Sequence, residues 1–61
     1  MMQKAYYIEN TNLLEEALFL LTRMFPCFIN RELIEMNYSE ITVIARFEDM
    51  PYIEKVLKPL A

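Results

Sequence analysis

A chain of 61 residues with one cysteine and no histidine cannot staple itself together. Cys27 has no second thiol to bridge to, and the ligand set of a structural zinc site is missing. A chain this short buries only about 60% of the surface that its unfolded form exposes, so its stability depends on one small core and on whatever covers the surface left over. That surface is rich in apolar groups, because 56% of the residues are hydrophobic, above the ~45–50% usual for soluble domains. Residues 1–61 therefore read as one small domain that gains extra stability from a partner chain, a second copy being the simplest.

The order of elements follows from local chemistry. Lys4 to Glu9 holds two tyrosines and an isoleucine between polar ends, which suits a strand. Asn12 with Glu15 three residues later has the form of a capping box, so a helix is expected from Leu13 to Phe25, where Pro26 stops it. At 100° per residue its apolar positions fill an arc of ~160°, wider than a helix on a sheet needs, and Phe19 falls on the polar side. Arg31–Tyr38 and Glu40–Phe47 read as a hairpin turning at Asn37-Tyr38-Ser39-Glu40, although no Asn-Gly or Asp-Gly pair sets its register. Asp49 as N-cap and Pro51 in the first turn open a second helix, on which Ile53, Val56, Leu57 and Leu60 make the apolar stripe.

The expected fold class is α+β, with the order β-α-β-β-α. A right-handed crossover places strand three between strands one and two, giving a mixed three-stranded sheet of order 2-3-1 with both helices on one face. This topology resembles the ferredoxin-like fold lacking its last strand, and is similar to that of small regulatory ACT-type domains. That second resemblance implies sensing of a small ligand, although Asn10-Thr11-Asn12 stands where such domains carry a glycine. By alternation, Tyr6, Ile8, Ile34, Met36, Ile41, Val43, Ala45 and Phe47 are expected to face the helices, leaving Tyr7, Leu33, Glu35, Thr42, Ile44 and Arg46 on the open face.

Function is constrained mainly by exclusion. With no glycine, the chain cannot form a phosphate-cradling loop of the common type, and no cofactor is expected. The commonest general base, histidine, is absent, Cys27 reads as a packing residue, and the acidic pairs Glu15-Glu16 and Glu48-Asp49 fall at helix starts, where they complement the dipole. No enzymatic role is expected. Nine acidic residues against six basic ones give a net charge of −3, and the cations are dispersed singly, which disfavours nucleic acid and anionic membranes as partners. Tyr7 beside Ile44 or Arg46 is one aromatic in an acidic setting, too little for the base-stacking platform of an RNA-binding sheet. No segment has the make-up of a secretory signal or a bilayer span, so a cytoplasmic protein is expected.

What remains is an interaction or regulatory module acting as a homo-oligomer or a small subunit, with Tyr7, Phe19, Leu33, Ile44 and Arg46 as candidate contacts. The alternative is an acidic decoy, for instance a phage-encoded one, that occupies a basic nucleic-acid-binding groove. A row of exposed carboxylates such as Glu9, Glu15, Glu16, Glu48 and Asp49 on one side would favour it.

Overall fold

The computed structural model describes all residues 1–61. Its elements are β1 (Met2–Glu9), α1 (Asn12–Met24), β2 (Phe28–Glu35), β3 (Tyr38–Ala45), α2 (Met50–Leu57) and a 3₁₀ turn, η1 (Lys58–Leu60). The three strands form one sheet of order β1-β3-β2, with β3 antiparallel to both neighbours, so the fold is the expected α+β arrangement.

Burial explains why the sheet takes this form. Along β3 every second residue is buried, and Ser39, Ile41, Val43 and Ala45 all turn toward the helices. Central strands need this alternation, since one face packs and the other does not. Ile8 of β1, Leu14, Ala17 and Leu21 of α1, and Met50, Ile53 and Leu57 of α2 complete a core of ten residues. Fully burying an aliphatic side chain of this size is worth about 1.5–3 kcal/mol, so truncating Ile41 or Leu21 removes a large part of so small a core.

The helix starts differ from the sequence reading in one respect each. Thr11, not Asn12, caps α1: its Oγ1 accepts from the Leu14 amide at 3.3 Å, because an extended residue one step earlier aims its hydroxyl into the first turn. Asp49 occupies the N-cap position of α2 but makes no side-chain cap, since its carboxylate accepts from Arg46 Nε at 2.8 Å.

The larger departure is in the hairpin. β2 begins three residues earlier than expected and ends at Glu35, and Met36-Asn37 forms the turn. No residue in the chain has a positive φ, so the two-residue turns that match strand twist without a bulge are not available. The pairing shifts instead between Leu33 and Glu35, a bulge at Ile34 that absorbs the mismatch. Ile34 and Met36, expected against the helices, are consequently exposed, as is Phe47 beyond the end of β3.

Candidate interaction surfaces

Register fixes what the open face presents. Gln3–Ile44–Phe28, Ala5–Thr42–Asn30 and Tyr7–Glu40–Glu32 lie in successive rows across the three strands, and Glu9 and Glu35 flank Tyr38 in the last. Tyr7 Oη donates to Glu40 Oε2 at 3.0 Å, and this bond to an anion raises the phenol's pKa above its ordinary value.

Three of the residues singled out from the sequence are placed differently from expectation. Leu33 is opposite Ser39, whose side chain is buried toward the helices, so it belongs to the helix side of the sheet and is 66% exposed there. The bulge at Ile34 put the sequence alternation of β2 out of phase. Ile44 does face outward, but opposite Gln3 and two rows from Tyr7, so the two are not neighbours. Arg46 lies past the end of β3, held by Asp49 at 2.8 Å and by Glu48 at 3.6 Å. Phe19 is exposed on α1, with the Arg23 guanidinium 5.1 Å from its ring centroid.

The row of carboxylates considered from sequence does not assemble. Glu15 pairs with Arg31, Glu48 and Asp49 with Arg46, and only Glu9 reaches the open face. Sequence reasoning missed Glu32 and Glu40, which stand directly opposite each other there.

Below the sheet the polar groups are mostly paired. Arg31 reaches from β2 to Glu15 of α1, donates to Asn10 Oδ1 at 2.8 Å and approaches Ser39 Oγ at 3.5 Å, while the buried Ser39 hydroxyl donates to Asn10 Oδ1 at 2.6 Å. This network ties the β1–α1 connection to β2 and β3. At the other margin, Lys4 Nζ bonds Glu54 Oε1 at 3.0 Å, which holds that carboxyl below its usual pKa. Beside it, Tyr6 Oη is buried near Glu54 without completing a well-aligned hydrogen bond. Burial and the neighbouring negative charge push the phenol up to about 12.

Cys27 is half-buried against the core, and its thiol donates to the Leu21 carbonyl at 3.6 Å. Burial, with a smaller contribution from Asp49, raises its pKa, and a thiol that keeps its proton is a weak nucleophile. One depression of about 500 Å³ exists, lined by Pro51, Glu54, Lys55, Lys58 and Pro59 on the outer side of α2 and η1. No three of the Cys, Asp and Glu side chains gather into a metal-holding group, and no helix is long and apolar enough to cross a membrane.

Comparisons with protein-family models, with curated protein sequences and with solved structures found no match for this chain.

The apolar surface is extensive. Leu13, Leu20 and Met24 recur along one side of α1 and are each more than half exposed, and Tyr52 and Val56 of α2 are exposed as well. More large hydrophobic side chains lie on the surface than in the core.

Proposed function

We propose that the chain is a non-enzymatic, cytoplasmic interaction or regulatory module that works as a homo-oligomer, two copies pairing through the edge of β1. The observation that carries this reading is the contrast between the two free edges of the sheet. β2 is guarded by Arg31, Glu32 and Glu35 and broken by the bulge at Ile34, two devices that discourage a further strand. β1 has neither. It is eight residues long and regular in its pairing, and carries no proline. Its one charge away from the C-terminal end, Lys4, is turned to the helices and held by Glu54.

Antiparallel pairing about a two-fold axis sets Ala5 against Ala5 or against Tyr7 of the mate, since only residues of like parity meet on one face. The result is a six-stranded sheet with four helices on one side. Tyr52 and Val56, exposed on α2, support the reading, because α2 is tied to β1 by the Lys4–Glu54 pair and an apolar surplus near that edge is what association covers.

Light scattering on the purified protein tests it. A mass twice that of the 7.4 kDa chain at micromolar concentration is expected, and Ala5→Glu, which sets like charges against each other across the axis while pointing to solvent in the monomer, should return it to one chain. A single-chain mass at every concentration would overturn the oligomer, and a dimer untouched by Ala5→Glu would exclude β1 as its site.

A further inference from the structure

The helix side of the sheet and its open side divide the charge unequally. Glu9, Glu32, Glu35 and Glu40 all project from the open face, and no lysine or arginine does. Lys4 is taken by Glu54, Arg31 by Glu15, and Arg46 by Asp49 and Glu48, while Arg23, Lys55 and Lys58 ride on α1, α2 and η1. Of the nine acids and six cations, five acids and all six cations therefore lie elsewhere, so the open face carries −4 and the rest of the chain +1.

The face is costly to maintain. Glu32 and Glu40 are partners in the strand register with no cation between them, and like charges directly opposite each other destabilise a sheet. Tyr7 donates to Glu40 on one side, and Tyr38, 47% exposed, stands between Glu9 and Glu35. Tyrosine rings set among carboxylates match one side chain in particular. The guanidinium of arginine is planar, takes a carboxylate bidentately and stacks on an aromatic ring, whereas lysine offers a point charge.

We propose that the open sheet face docks an arginine-rich segment of a partner protein, its guanidinium groups paired with Glu32 and Glu40 and with Glu9 and Glu35, and stacked on Tyr7 and Tyr38. Charge complementarity selects this occupant over a second copy, whose own open face would repel. The docking is independent of pairing through the β1 edge, which leaves the open face free.

An arginine-rich peptide about eight residues long, the length of the strands, serves as the probe, with a lysine peptide of equal length beside it. Fluorescence anisotropy at about 50 mM salt should show the arginine peptide bound more tightly than the lysine peptide. Glu32→Gln/Glu40→Gln should weaken the arginine peptide by about tenfold, while Glu16→Gln/Glu48→Gln, which removes the same charge from outside the face, should change it less than about threefold. Equal losses for the two double variants would reduce the effect to net charge and overturn the site, as would the absence of binding or an equal preference for lysine. Amide shift mapping on the unsubstituted protein provides a readout that needs no variant: perturbations confined to the strands support the face, and perturbations confined to α1 and α2 refute it.

Discussion

Neutralising Glu32 should make the protein more stable, which is unusual for a substitution at a position chosen for function. Glu32 and Glu40 are cross-strand partners, a pairing that sets Cβ atoms about 5 Å apart, and two unit charges at that spacing in water repel by about 0.8 kcal/mol. At physiological ionic strength, with a screening length of about 8 Å, roughly half of this survives; at about 1 M salt almost none does. Glu32→Gln should therefore raise stability by about 0.4 kcal/mol in ordinary buffer, about 0.8 kcal/mol in low salt, and negligibly in high salt. In a domain of this size the gain of about 0.4 kcal/mol corresponds to a rise in Tm of about 2–3 °C. The assay is thermal unfolding followed by circular dichroism at three salt concentrations and one fixed protein concentration, since self-association would itself shift Tm. Glu40→Gln as background completes a double-mutant cycle, in which Glu32→Gln should lose its benefit. A gain that does not fade with salt, or one that persists once Glu40 is neutral, would refute the opposed-charge reasoning.

Other substitutions report on the caps and the buried polar groups. Thr11→Ala removes the side-chain acceptor of the Leu14 amide and should cost about 1 kcal/mol in urea unfolding, whereas Asn12→Ala should cost little. Tyr6 keeps its phenolic proton to about 12 in the folded state, while the unfolded chain loses it near 10, so its contribution is fully present below pH 10 and is lost as pH rises toward 12. Discounted for solvent at the sheet margin, the loss is on the order of 1–2 kcal/mol; Tyr6→Phe should abolish this alkaline decline and leave neutral-pH stability equal or slightly higher. Cys27→Ser should retain fold and assembly at about 1–3 kcal/mol, and assembly lost under reducing conditions would instead reveal an intermolecular disulfide.

The sequence made the element order legible because each helix start carries its own chemistry and β3 alternates without interruption. Ile41, Val43 and Ala45 point inward on the same face as Tyr6 and Ile8, and this phase could be read directly from residues of opposite character at neighbouring positions. β2 offered no such signal. Arg31-Glu32-Leu33-Ile34-Glu35 alternates for no more than two residues at a time, so its phase depends on the turn, and the turn depends on a backbone property that composition only hints at. With no glycine and no residue at positive φ, the chain closes its hairpin with a bulge, and one extra residue moves every side chain between that point and Phe28 to the opposite face from the one expected.

That single shift also hid the charged face. With β2 out of phase, Leu33 and Glu35 share the open face and Glu32 is turned inward, so the carboxylates look scattered and the most conspicuous acids are those at the helix starts. In the structure the helix-start acids are largely neutralised: Glu15 is paired, Glu48 and Asp49 share Arg46, and Asp49 is buried. The unneutralised acids of the sheet are those that entered it as apparently ordinary strand residues: Glu9 on β1, Glu32 and Glu35 on β2, and Glu40 on β3. Only the pairing of three strands distant in sequence converts those positions into one surface. Local chemistry could therefore supply the elements and the inward side of the central strand, whereas the distribution of charge is a property of register, and register here was set by a bulge at Ile34.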